Sequence, residues 1–232
     1  MGTNVGPDEL NVSRYDTDVY DWGIRVTIPG HDELHQHIDD ILASAFDRAA
    51  RFQMLELGVG TGLTSERILR AFPVSTYTGI EYSENMLTGA RKRLAPYDST
   101  LICGDYTEGD LPTGNDLVVS VIGIHHQETD DDKKRLFGRI YDSLADEGHF
   151  VFGDLVTYRD PAEAALNEAR HYHNLVTNVE DETLLREWAH HHKFLNCLAP
   201  LEDQVNWLRE VGFRQVDVVY TKFNTALIHA VK

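Results

Sequence analysis

The sequence predicts an α/β protein: a seven-stranded, mostly parallel sheet with an antiparallel C-terminal hairpin strand and a helical cap inserted after the fifth strand. Three observations predict it. Short apolar runs alternate with longer amphipathic ones from residue 52 onward, and the first run ends in a glycine-rich turn that opens a helical pattern. The last two runs are separated only by Thr221-Lys-Phe-Asn224, too short for a crossover helix, so they must pair as an antiparallel hairpin.

Residues 1–50 contain Trp22-Gly-Ile-Arg-Val-Thr-Ile-Pro-Gly-His31 and a helical pattern over 32–50, more chain than a simple cap on the sheet needs. They read as a helical lid segment. Strands are expected at 52–57, 76–81, 100–103, 116–121, 149–154, 215–220 and 226–231. Helical patterns at 63–71, 83–94, 131–144 and 201–211 fill most of the intervals, which calls for a sheet covered on both faces. Residues 156–200 break the alternation with two helical patterns, 161–177 and 182–197, rich in His and aromatic residues. Leaving from the fifth strand, this insertion emerges at the carboxyl edge of the sheet, where open α/β sheets bind ligands, and it reads as a cap. A single domain is expected, with its binding core at 51–155 and a closing helix and hairpin at 201–232.

A chain of 232 residues with 42% hydrophobic content can bury one sizeable core. Its 38 acidic residues against 21 Lys plus Arg give a formal charge of -17, which argues against nucleic acid or an anionic membrane as partner, because neutralising phosphates needs a basic stripe. The densest basic run, Arg91-Lys92-Arg93, reads as a solvated helix face. No uncharged apolar run approaches the roughly 18 residues of a spanning helix, and the first ten residues lack a basic start and an apolar stretch. A soluble, cytoplasmic protein with a small-molecule partner is expected, its oligomeric state open, with a homodimer among the options. Cys103 and Cys197 share no metal-ligand spacing and read as free thiols, while the consecutive His190, His191 and His192 cannot all converge on one ion. No metal is expected.

The first strand runs through Met54-Leu-Glu-Leu-Gly-Val-Gly-Thr-Gly-Leu63 into a helix, so Gly58, Gly60 and Gly62 sit where backbone can approach a ligand closely. A dinucleotide fingerprint would need glycine at 63, where leucine stands, and the GxxxxGK[ST] loop is absent. Glu56 would repel a pyrophosphate and suit a cationic ligand. Glu81 closes the second strand, where a carboxylate can take both hydrogen bonds of a ribose diol. The third strand ends in Cys103-Gly-Asp-Tyr106, where Asp105 and Tyr106 can meet an exocyclic amine and a purine face. Three carboxylates at successive strand ends beside a glycine turn point to one ligand.

ELGVGTG, IEYSENML, ICGDYTEGDLP and DLVVSVIGIHH, in this order and spacing, resemble the class I S-adenosylmethionine-dependent methyltransferases over 52–155, and the closing Trp207-Leu-Arg-Glu-Val-Gly-Phe213 is similar to that family's end. Arg25 to His31 further looks like the opening segment of small methyltransferases related to carboxy-S-adenosylmethionine synthases. The resemblance implies a Rossmann-like sheet and S-adenosylmethionine as cofactor, with S-adenosylhomocysteine as product. It implies that backbone at Gly58 and Gly60, with Gly62 in the same turn, holds the methionine end and that Glu56 serves its ammonium. Glu81 would take the ribose, Tyr82 and Met86 would flank the adenine, Asp105 beside Tyr106 would receive its amino group, and Ser120 and Arg25 complete the set, Arg25 for the carboxylate.

His125 and His126 follow the fourth strand, where this family places residues against the transferable methyl. Histidine is the default general base near neutrality, and His126 is favoured of the two. Trp22, His171, Tyr172 and Trp188 are candidate acceptor-pocket residues. The function expected is methyl transfer to an oxygen or nitrogen of a small molecule. The rivals are a carboxy-S-adenosylmethionine synthase-like enzyme, which would want arginines such as Arg25 and Arg170 in the pocket, and a non-catalytic cofactor-binding protein.

Overall fold

The computed structural model describes residues 17–47 and 49–232, so the part of the expected lid before residue 17 lies outside the described residues. One sheet runs in the order β3-β2-β1-β4-β5-β7-β6. Its strands are β1 (Phe52–Leu57), β2 (Val74–Glu81), β3 (Thr100–Cys103), β4 (Asn115–Val121), β5 (Leu144–Leu155), β6 (Gln215–Lys222) and β7 (Thr225–Val231). β1 to β5 are parallel, and β7 is antiparallel to both β5 and β6. β1 crosses to β2 on one side and pairs with β4 on the other, which opens a crevice above its carboxyl end.

The helices are α1 (Thr17–Thr27), α2 (His31–Ala45), α3 (Leu63–Ala71), α4 (Glu84–Leu94), α5 (Asp130–Ser143), α6 (Pro161–Asn178), α7 (Glu182–Phe194) and α8 (Leu201–Val211). Each end has a local cause. Asp160 and Asp181 cap α6 and α7 through the backbone N–H groups of Glu163 and Leu184, and Thr129 with Asp132 forms a capping box on α5. α2 stops at Ala45, short of the expected residue 50, where Phe46 turns extended to stack on Phe52 and Asp47 accepts from the Ala49 N–H. α7 stops at Phe194 rather than 197. β5 begins five residues before its expected start, where Leu144 already pairs with Asn115.

Two-residue periodicity divides the core between the faces. Phe52 and Met54 of β1 pack with Leu34, Ile38, Leu42 and Ile68 of α2 and α3, while Leu55 and Leu57 pack on the opposite face with Leu136, Phe137, Ile140 and Leu208 of α5 and α8. The cap, α6 and α7, leaves and rejoins the sheet at one place: Thr157 bridges Pro200, its N–H donating to Ala199 O at 3.0 Å and its carbonyl accepting from Leu201 N at 2.9 Å. α1 lies against α6, whose Asn174 amide donates to the Val26 and Thr27 carbonyls. Gly23 allows a close approach there, because a Cβ would stand 3.0 Å from the Trp188 ring. No described helix is long and apolar enough to cross a membrane.

Candidate active site

The carboxyl ends of β1, β2, β4 and β5, with α1 and the cap above them, enclose a cavity of about 350 Å³. Its floor is the glycine turn. Gly58, Gly60 and Gly62 have φ of 78°, 57° and 83°, a region that side chains with a Cβ enter only under strain. The Gly60 N–H donates to Glu81 Oε2 at 2.9 Å and the Ser83 N–H to Oε1 at 2.8 Å, so the carboxylate at the end of β2 is held by the backbone. Burial pushes the Glu81 pKa up, and the backbone N–H groups of Ser83, Gly60 and Tyr82 oppose the shift. The carboxylate's four lone-pair positions are not all taken by these groups, which leaves acceptor capacity for a ligand hydroxyl. Tyr82, Met86, Asp105 and Tyr106 also line the cavity, and Asp105 commits Oδ1 to the Thr107 backbone and hydroxyl. A left-handed glycine turn, a half-buried carboxylate, an apolar Met86 and a second acid on one cavity fit a nucleoside bearing a cationic tail.

Beyond β4 the chain makes a strained corner. Ile122 has φ 55°, costly for a β-branched residue, and its N–H donates to Gly153 O at 2.7 Å. The corner delivers the 3₁₀ turn Ile124–His126 to the cavity. Asp154, at the end of β5 and 1% exposed, accepts from the His125 backbone N–H at 2.8 Å through Oδ2 and faces His125 Nδ1 through Oδ1. A carboxylate on Nδ1 keeps the proton there and leaves Nε2 as the basic nitrogen. His126 instead turns Nδ1 to Leu195 O at 3.2 Å, and burial with neighbouring imidazoles holds its pKa well below the ordinary value. The cap is fastened to this turn a second time by the Cys197 N–H on His125 O.

Several expected residues lie elsewhere. Glu56 does not line the cavity: two-residue alternation puts it on the face of Phe52 and Met54, beneath α3, where its Oε2 accepts from Ser65 Oγ and Tyr77 Oη. Burial raises its pKa to about 7. Gly62 is the left-handed N-cap of α3, packed on Ala90 and Leu94 rather than on the cavity. Ser120 is buried and donates to Leu57 O. Arg25 and Trp22 are exposed, because the inner face of α1 carries Tyr20, Ile24 and Thr27 at a helical period and positions 22 and 25 point away. Tyr172 packs edge-on against His192 behind the lining. Arg93 is no solvated residue: it pairs with Asp21 of α1 and donates to Thr61.

His125, His126, His171 and Trp188 do line the cavity. So do His31, His35, His191, His192, Tyr20 and Ile24, which sequence reasoning did not assign to the site. The helical period of 20, 24 and 27, and of 31 and 35, was the available signal. Asp154 carried none, since only tertiary pairing distinguishes it from other strand-end acids. His35 is fixed by Thr64 Oγ1 at 3.0 Å, and burial lowers its pKa to about 4, as it does for His171 and His191.

Residues 54–148 match the family model described as a methyltransferase domain. An uncharacterised methyltransferase of Bacillus cereus is 31% identical over 159 residues, covering 66% of this chain and 72% of that one. The chain belongs to the class I S-adenosylmethionine-dependent methyltransferases. A malonyl-[acyl-carrier protein] O-methyltransferase of Bacillus cytotoxicus is 29% identical over 120 residues, though this chain spans only 41% of its length. The fold is shared with phosphoethanolamine N-methyltransferase 2 of Haemonchus contortus in complex with S-adenosyl-L-methionine, at TM-score 0.68 and 18% identity over 97% of this chain and 59% of that one. The methyltransferase thus takes S-adenosylmethionine as cofactor, and its sheet is the Rossmann-like one the motifs implied.

Proposed function

We propose that this methyltransferase transfers a methyl group to an oxygen or nitrogen of a small-molecule acceptor, with His125 as the general base and Asp154 as its positioning residue. The observation that carries this reading is the His125–Asp154 pair on the same cavity as Glu81 and the glycine turn. Bound S-adenosylmethionine supplies a methyl carbon already activated by a positive sulfur. What remains for the chain is to hold the acceptor near it, exclude water and receive one proton. The glycine turn and Glu81 would hold the cofactor's methionine and ribose, with Met86, Tyr82 and Asp105 about its base. α1 and the cap cover the opening, which keeps water from the reacting atoms.

The carboxy-S-adenosylmethionine synthase-like alternative wants arginines, and neither Arg25 nor Arg170 lines the cavity. The test is turnover with the identified acceptor. His125→Ala should lower it by roughly 10² to 10⁴-fold with S-adenosylhomocysteine affinity unchanged, and Asp154→Asn should lower it in part. A larger loss in His126→Ala than in His125→Ala would reverse the assignment.

A further inference from the structure

The cavity has one wall that is aromatic from lid to base. The ring of Tyr20 in α1 lies 6.1 Å from Trp188 in α7, Trp188 lies 6.0 Å from His191, His191 meets His126 edge-on at 5.3 Å, and His126 lies 4.0 Å from His125. All five rings line the cavity, and the wall ends at the Asp154 carboxylate that orients His125. The rings of this wall are tilted or edge-on to one another, and a stacked pair, His171 and His192 at 3.8 Å and 13° from parallel, adds a flat surface beside it. Burial holds His126, His171, His191 and His192 below the ordinary imidazole pKa, so at neutral pH each is uncharged and offers one donor and one acceptor. The acids on the lining are Glu81 and Asp105, and among the described residues neither Lys nor Arg joins them. A carboxylate or phosphate on the acceptor would lose water in this space and find no guanidinium or ammonium on the lining to pair with.

We propose that the acceptor is an uncharged, planar aromatic molecule bearing a hydroxyl, a phenol or a hydroxylated heterocycle, laid against the Tyr20–Trp188–His191 wall with its hydroxyl towards His125. The inference rests on reading this cavity as the methyl-transfer site. The hydroxyl proton passes to His125, the oxygen lone pair forms the bond to the methyl carbon, and the pair of the broken carbon–sulfur bond stays on sulfur as a neutral thioether. Charge is conserved, because the sulfonium's positive charge is replaced by that of the imidazolium.

Calorimetry on the full chain saturated with S-adenosylhomocysteine tests it. The probes are catechol, 2-naphthol and 8-hydroxyquinoline, set against the carboxylated twins 3,4-dihydroxybenzoate and 3-hydroxy-2-naphthoate. Catechol and 2-naphthol should each bind at least about tenfold more tightly than its twin, the scale of one buried unpaired charge, and 8-hydroxyquinoline should bind as well. Trp188→Leu, which keeps an apolar side chain and removes the ring, should weaken them about tenfold and leave S-adenosylhomocysteine within twofold. His191→Arg, an independent change in the same wall, should shrink or reverse the preference. Equal or tighter binding of the twins, no binding by any of the three uncharged aromatics, or indifference to both substitutions overturns the aromatic assignment. Failure of the underlying reading looks different: methyl transfer to any acceptor that is insensitive to His125→Ala removes the base, whatever the aromatics do.

Discussion

Glu81 and Glu56 stand at the ends of neighbouring strands and have opposite fates, because alternation along β1 turns Glu56 beneath α3 while β2 ends at the cavity with Glu81. Glu81→Ala should therefore weaken S-adenosylhomocysteine by about 2 to 3 kcal/mol, the worth of hydrogen bonds to a charged group, as measured by calorimetry. Glu56→Ala or Gln should leave that affinity nearly intact and change stability instead. The Glu56 carboxyl has a folded pKa raised to about 7 from 4.5, so below pH 4.5 both states carry the proton and nothing is lost. As pH rises to 7 the unfolded chain releases the proton first, and folding forfeits on the order of 3 kcal/mol. Denaturation of Glu56→Gln across pH 4.5 to 7 should lack that component relative to the parent. The sequence alone carried the acids at the strand ends but not their facing, which a single-residue change of register reverses.

α1 is bolted to the glycine turn. Thr61 Oγ1 donates to Asp21 Oδ1 at 2.5 Å, Arg93 of α4 pairs with the other Asp21 oxygen, and Arg93 also donates to the Thr61 carbonyl at 3.0 Å. The three meet at 16% and 22% exposure for Asp21 and Arg93, enough burial for the pair to matter. Asp21→Asn should cost about 1 kcal/mol of lid closure, seen as faster hydrogen exchange over 17–27 and about fivefold faster release of S-adenosylhomocysteine, with turnover chemistry unchanged. Unaltered exchange and release would make the contact incidental. Most elements were legible from periodicity and turn residues: β1, β3, α3 and α8 fall at their expected limits because a glycine, proline or cap residue stands at a boundary. α1 was not, since its inward Tyr20, Ile24 and Thr27 are interleaved with the Trp22 and Arg25 that chemistry alone made attractive. The half of the cavity proposed for the cofactor lies within one contiguous stretch and could be read from spacing. The half proposed for the acceptor is assembled from α1, the turn after β4 and α7, which only the fold brings together.

Across the whole molecule, the buried imidazoles make acid the vulnerable direction. His35, His171 and His191 titrate near 4 and His192 near 3 in the folded chain, against 6.5 when unfolded. The unfolded state therefore binds more protons once pH drops below 6.5, and stability present above that pH falls by about 1.4 kcal/mol per histidine per pH unit towards pH 4. Urea denaturation between pH 7 and 4 should show this steep loss, and His35→Gln should remove roughly one histidine's share of it. A midpoint flat across that range would contradict the burial of these rings. The junction at Thr157 and Pro200 has a different significance for the molecule's history. Since the insertion departs and returns through adjacent residues, a different cap could enter at this seam while the glycine turn and the end of β2 keep their own backbone contacts, provided it remakes the ties to α1 and to the turn carrying His125 and His126. A lineage could thereby retain one methyl donor while trading acceptor molecules, and in the laboratory the same seam is where a foreign cap would be grafted.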